Sequence, residues 1–268
     1  MAEQMARFVG TVPASYDRYL GPLLFHRYAD DLAARLPVSP GMRVLEVACG
    51  TGIVTERLIR RLAGRGTLVA TDLNEPMIAC AQARLPARAG LEWRQADGAS
   101  LPFPDRSFDV VVCQFGLMFF EDPVGALREM QRVLRPGRRM AVAVWDRLEN
   151  SPGYAAVAAL LEKLFGATAA EAIRAPFSLG ERATIEELVS GVSLRGSEIR
   201  TVPGEARFSS IRSWMDTEIC GWTLRDLLDE DDRRRLADEA EMALARFAGP
   251  GGAVAFSVPA HIVSGVKP

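Results

Sequence analysis

Lysine is almost missing from this chain: of 32 basic residues only Lys163 and Lys267 are lysines, and the rest are arginine. The 34 acidic residues bring the formal charge to -2 at a pI near 5.9, which excludes the dense positive field that non-specific nucleic-acid binding requires. Cysteine is sparse as well. Cys49, Cys80, Cys113 and Cys220 stand far apart and none lies in a CxxC pair, so the pattern suggests neither a zinc site nor a disulfide framework. Such usage fits a reducing compartment. Histidine occurs only at His26 and His261, and no metal is expected. No apolar run approaches the ~20 residues of a membrane span. The stretch MAEQMARFVGTVPASYDRYLG lacks the basic start and apolar core of a signal peptide, so a cytoplasmic protein is expected. Repeats, low-complexity tracts and long linkers are absent too.

What remains is an ordinary globular composition, 49% apolar and 25% charged over 268 residues, enough for one large α/β domain with insertions. Leu24, Tyr28, Leu32 and Leu36 recur every four residues and predict a helix over 22–36. Strands are expected at 42–47, 67–71, 91–95, 108–115 and 139–145, with helices at 52–62, 75–85 and 122–134 between them. This regular alternation implies a doubly wound, mostly parallel sheet. After Asp146 the pattern loosens into helices near 154–165, 184–190, 211–220 and 231–247, extended segments at 192–202 and 205–208, and a last strand over 253–266. The expected organisation is one domain: residues 1–39 as N-terminal lid and helix, 40–146 as core, 147–252 as an insertion over the sheet, and 253–268 as final strand.

The chemistry concentrates at three strand ends. VLEVACGTG closes the first strand with Ala48, Gly50 and Gly52 at alternating positions before a helix, where small residues let a ligand press on the backbone. A dinucleotide fingerprint would need glycine at position 55, and Thr55 stands there, so the NAD reading fails. Asp72 ends the second strand about twenty residues later, where an acidic side chain can accept from both ribose hydroxyls. Asp97 follows the third strand, placed to accept from an adenine amine. Taken singly, each aspartate reads equally well as a cap or turn former.

Together with TDLNEPM at 71–77, QADGASLPFPDRSFDVVVCQFGLMFF at 95–120 and ALREMQRVLRPG at 126–137, these loops resemble the class I S-adenosylmethionine-dependent methyltransferases of the ubiquinone and menaquinone C-methyltransferase type. The likeness covers about residues 40–145. It implies a Rossmann-like seven-stranded sheet whose final strand is antiparallel, helices on both faces, and a helical lid. It also implies S-adenosylmethionine as cofactor, with Glu46 and the run Ala48, Cys49, Gly50, Thr51 and Gly52 around the methionine end. Asp72, Leu73 and Met77 would lie by the ribose, Ala96, Asp97, Gly98 and Ala99 by the adenine, and Gln114 and Phe115 along the edge. Tyr16, in the phrase YDRY, resembles the family's aromatic lid. Two departures stand out: Phe119 and Phe120 occupy the place where many relatives carry a polar residue, and Gly137–Arg138 replaces paired glycines.

No catalytic base is therefore evident, and His26 and Asp146 are the only candidates, both weak. Trp145, Trp214, Trp222, Phe119 and Phe120 suggest an apolar or aromatic small-molecule acceptor, although core packing explains aromatics equally well. A silent cofactor-binding sensor or scaffold stays open as an alternative. A nicotinamide oxidoreductase is disfavoured by Thr55, and an RNA methyltransferase by the missing basic face.

Overall fold

Apolar strand runs joined by short helices fold as the pattern requires. In the computed structural model, which describes residues 16–221 and 224–268, the strands are β1 (Arg43–Val47), β2 (Thr67–Asp72), β3 (Leu91–Gln95), β4 (Phe108–Gln114), β5 (Leu134–Trp145), β6 (Arg195–Val202), β7 (Glu205–Phe208), β8 (Val254–Ser257) and β9 (Ala260–Val266). Seven of them form one sheet in the order β3-β2-β1-β4-β5-β9-β6. The pairs among β1 to β5 are all parallel, and β9 runs antiparallel to both β5 and β6. This is the seven-stranded arrangement with an antiparallel last strand that the family likeness implies.

The centre of the sheet is dry. Leu45, Val110, Val111 and Val112 are wholly buried, because helices cover both faces of the parallel strands. These are α1 (His26–Arg35), α2 (Ile53–Leu62), α3 (Glu75–Arg84) and α4 (Pro123–Val133). The four-residue spacing of Leu24, Tyr28, Leu32 and Leu36 does mark a buried stripe. Its first part, Tyr16–Phe25, is wound as a π-helix rather than left irregular or α-helical. Pro22 lies inside it and has no N–H to give, so an unbroken α ladder cannot run through. Asp122 caps α4 as its sequence position suggests, accepting from Gly125 N at 2.8 Å.

The other end of α4 is closed by one of the two lysines. Lys267 Nζ donates to the carbonyl oxygens of Gln131 at 2.7 Å, Arg132 at 3.1 Å and Leu134 at 2.8 Å. A positive charge there also opposes the negative end of the helix dipole.

Beyond β5 come α5 (Pro152–Phe165), α6 (Ala167–Arg174), α7 (Arg182–Ser190), α8 (Ile211–Gly221), α9 (Leu224–Leu227) and α10 (Glu230–Ala243). Helix α6 falls in a stretch to which the sequence reading assigns no element. The single strand expected over 253–266 is two strands. Residues 254–257 pair with β7 in a separate ribbon and residues 260–266 enter the main sheet, the chain changing partners at Val258 and Pro259. Proline cannot donate to a ladder, so a break there costs no hydrogen bond. No helix among the described residues is long and apolar enough to cross a membrane.

Candidate active site

The turn after β1 is built on left-handed backbone. Ala48 has φ 54°, Gly50 φ 54° and Gly52 φ 80°. Ala48 holds this conformation at a cost of about 1–2 kcal/mol, and neighbouring bonds fix it: Cys49 N donates to Thr71 O at 2.8 Å and Gly52 N to Cys49 O at 2.9 Å. The two glycines serve different ends. A Cβ at Gly52 would press on Trp93, Leu85 and Ala81 at 3.1–3.3 Å, so that residue allows the start of α2 to pack closely against α3 and β3. A Cβ at Gly50 would meet nothing within 4 Å, so its face is open to a ligand.

Asp72 joins this loop to the next. Its Oδ2 accepts from Gly50 N at 2.8 Å and its Oδ1 from Asn74 N at 2.9 Å. Burial raises the carboxyl's pKa, and these backbone N–H groups oppose the rise. Each carboxylate oxygen has a second lone pair, so both can still accept from a diol. Beside it Leu73 is 37% exposed, one of only two large apolar side chains so exposed among the described residues. Met77, by contrast, is buried beneath the loop.

The third loop is pinned by Ala96 N, which donates to Asp72 O at 3.0 Å, and by Ala99 N, which donates to Asp97 Oδ1 at 2.9 Å. The Asp97 side chain is exposed beside it. Gly98 has a reason the sequence reading missed: a Cβ there would stand 2.5 Å from the Phe120 ring. Phe120 is thus buried packing under the loop rather than part of an acceptor pocket.

Between these loops and the N-terminal helix lies a narrow recess whose lining includes Phe25, Glu46, Gly50, Thr51 and Gln114. Glu46 is buried and accepts from Thr55 Oγ1 at 2.6 Å; desolvation pushes its pKa up to about 8, so it is mostly protonated at neutral pH. Gln114 Oε1 is buried with no hydrogen-bond partner. After Gln114 the chain turns again on a left-handed residue, Phe115 at φ 54°. A Cβ at Gly116 would lie 2.5 Å from that of Ala48, so the turns after β1 and β4 interlock. Strained non-glycine residues stand at two adjacent strand ends with an unsatisfied acceptor between them, an arrangement common at ligand sites. The open face of Gly50, the Asp72 carboxylate, the exposed Leu73 and Asp97 lie on consecutive loops that could hold a nucleoside. Glu46 and Gln114 Oε1 suit a cationic tail.

Residues 45–142 match a family model described as a methyltransferase domain. A ubiquinone/menaquinone biosynthesis C-methyltransferase UbiE from Teredinibacter turnerae is 34% identical over 173 residues, covering 61% of this chain and 65% of that protein. The protein of the same name from Pseudomonas fluorescens is 36% identical over 159 residues, 56% of this chain and 61% of its own length. The chain thus spans a little under two thirds of these relatives. Among solved structures, YcgJ from Bacillus subtilis superposes with a TM-score of 0.62 at 18% identity, covering 90% of this chain and 98% of that one. Haemonchus contortus phosphoethanolamine N-methyltransferase 2, in complex with S-adenosyl-L-methionine, gives 0.64 at 15%, covering 98% and 58%. Residues 45–142 are thus similar to a methyltransferase domain, and the chain has the Rossmann-like, seven-stranded fold of these solved structures.

In this fold the N-terminal helices close the recess from outside. Thr51 Oγ1 donates to Asp17 Oδ1 at 2.8 Å, and Arg84 Nε reaches Thr51 O at 3.0 Å with Asp17 at 3.6 Å. Phe25 packs edge-on against Phe115, whose ring stacks on Trp145 at 3.9 Å and 12°. The Tyr16 side chain and Trp222 lie outside what the structure describes. Behind the Phe25, Phe115 and Trp145 wall is a second, apolar cavity lined by Leu24, Trp145, Tyr154, Ile173, Pro176 and Phe177. Sequence reasoning found only Trp145 of these. Leu24 faces this cavity and its neighbour Phe25 faces the recess, so one turn of the lid divides the two spaces.

The two weak base candidates do not meet. His26 sits half-buried on the lid, its pKa lowered by burial and by Arg57 and Arg84. Asp146 is structurally committed: Oδ1 accepts from Arg147 N at 2.7 Å and pairs with His261 Nε2 at 3.0 Å, while Oδ2 accepts from Asn150 Nδ2 at 2.9 Å. Trp214 is wholly buried against Phe208, Phe247 and Phe256, and does not line the apolar cavity.

Proposed function

We propose that this protein binds S-adenosylmethionine on the loops after β1 to β4 and transfers its methyl group to a small apolar or aromatic acceptor held under the lid. The observation that carries the reading is the unpartnered Gln114 Oε1 beside the buried Glu46. In one closed recess they offer an acceptor and a latent negative charge, which suits the ammonium of a methionine tail. Asp72 takes the ribose hydroxyls, Leu73 the face of the adenine and Asp97 its amine. Ala96, Gly98 and Ala99 shape the adenine loop, and Met77 supports the ribose loop from below.

Bound there, the cofactor supplies an electrophilic methyl whose bonding pair stays on sulfur. The protein's part is to hold the acceptor in line and keep water out. The aromatic wall of Phe25, Phe115 and Trp145 shields the recess from water, and an acceptor held on the recess side of that wall gives up its proton to solvent once transfer is complete, so a dedicated base is not required. The relatives named as C-methyltransferases support a carbon acceptor on a ring. The net charge of -2 supports a small molecule over a polynucleotide, and the free cysteines suit the cytoplasm. Incubation with S-adenosylmethionine and a panel of phenols and quinols tests this. S-adenosylhomocysteine should form in step with methylated product, whereas binding without turnover on any acceptor would make the protein a sensor.

A further inference from the structure

The lid helices also have an outer side. Where they meet the β7–β8 ribbon lies a groove of about 290 Å³, whose lining includes Leu24, Arg27 and Tyr28 from the lid and Glu205, Arg207 and Val258 from the ribbon side. That volume falls at the lower end of the roughly 300–1,000 Å³ usual for small-molecule sites. The groove shares no lining residue with the recess described above.

Its two walls are tied together by a buried contact. Tyr28 is buried, and its Oη donates to the carbonyl oxygen of Val258. A Cβ at Gly204, just before β7, would collide with that hydroxyl, and Val258 N donates to Gly204 O at 2.9 Å. Glycine at 204 therefore lets lid and ribbon meet at the groove. The charges along the groove are unequally matched. Arg207 pairs with Glu205 at 2.5 Å, whereas Arg27 has no ion-pair or hydrogen-bond partner among the described residues. Two cations against one anion leave the lining with a single excess positive charge, beside the apolar surface of Leu24 and Val258.

We propose that this groove binds a small organic monocarboxylate, its carboxylate on Arg27 and its apolar body against Leu24 and Val258. A guanidinium meets a carboxylate through two parallel N–H···O bonds, which fix orientation as well as charge. The single excess charge suits a monoanion, because Glu205 repels a second negative charge. An exposed ion pair alone is worth little, so the apolar contact supplies part of the affinity. The occupant touches both lid and ribbon and braces one against the other. Since groove and recess have no lining residue in common, this ligand is distinct from whatever the recess binds.

The test is calorimetric titration of the whole chain, with no cofactor added, against 1-naphthoate and its neutral isostere 1-naphthamide. Wild type should prefer the carboxylate about tenfold. Arg27→Gln should bring that ratio to about one. Glu205→Gln, which frees Arg207 and removes the repelling charge, should raise 1-naphthoate affinity about threefold. Circular dichroism and Tm should be unchanged in both variants, showing that they are folded. Hydrogen exchange should slow at residues 22–28 and 205–208 when 1-naphthoate is added to wild type. Equal affinity for the two probes, or a tenfold preference that survives Arg27→Gln, overturns recognition of the anion by Arg27. Protection confined to other segments overturns the placement, and failure of 1-naphthoate to bind wild type overturns the site.

Discussion

The two halves of the site are made of different material. Around the cofactor recess the working parts are backbone: left-handed turns at Ala48, Gly50 and Phe115, and N–H groups of Gly50 and Asn74 held by Asp72. Under the lid they are side chains, a wall of Phe115 on Trp145 and a cluster of Tyr154, Phe177, Phe256 and Trp214. A backbone site tolerates few residue types at a given φ, whereas an aromatic cavity can be lined in many ways. On the proposed function, the cofactor end is thereby constrained and the acceptor end free to vary.

That contrast can be broken most directly at Gly50. Gly50→Val places a β-branched side chain at φ 54° on the open face, and S-adenosylhomocysteine binding should fall below calorimetric detection, at least a thousandfold, with the circular dichroism spectrum retained. A folded variant that binds normally would move the cofactor off this loop. Next in size is Asp72→Ala, which removes the carboxylate from the ribose and frees Gly50 N together. Affinity should drop roughly ten- to a thousandfold, and unchanged affinity would leave Asp72 with a structural role alone.

Glu46 sharpens the comparison through pH. Its folded pKa of about 8 lies above the ordinary carboxyl value, so the folded state holds a proton that the unfolded state loses. Its contribution to stability is therefore present at low pH and lost as pH rises from the ordinary carboxyl range to about 8. A cationic ligand favours the ionised form, so cofactor affinity should rise about tenfold between pH 7 and 9 and binding should release a proton. Glu46→Gln should flatten that profile in calorimetry across buffers of different ionisation enthalpy. The smallest effect on the cofactor is expected from Trp214→Ala. It should cost about 3–5 kcal/mol of stability in denaturant titration, yet change S-adenosylhomocysteine affinity less than twofold. A larger change would mean that the halves are not separable.

The same division explains what could be read from the sequence. The strands β1 to β5 and their helices were legible because buried parallel strands are continuous apolar runs and helix starts carry Asp122–Pro123 or Glu75–Pro76. The turn after β1 was legible because its left-handed positions include Gly50 and Gly52. Ala48 and Phe115, though named, carried no sign of the left-handed conformation they adopt without being glycine. Gly98 was noticed for its loop alone, since nothing local announces the Phe120 ring. The lid was least legible. Tyr154 and Phe177 meet Trp145 only through tertiary packing, and Trp214 stood out by its size although it is core. Helix α6 was missed despite its alanine-rich run, and the final strand was drawn through Pro259 because β-branched residues flank it.

Lys267 gives the scarcity of lysine a second meaning. A flat guanidinium directs its donors in one plane, whereas an ammonium has three arranged as a tripod. The carbonyls of Gln131, Arg132 and Leu134 converge on Nζ from three sides, a shape that arginine cannot match. In a chain that otherwise chooses arginine, this lysine is kept by geometry and not by charge. Its amine is occupied by three carbonyls on a part-buried residue, while the Lys163 side chain is 73% exposed on α5. Of the two lysines, Lys163 is thus the more open to an amine-reactive dye, which turns a quirk of composition into a handle on α5.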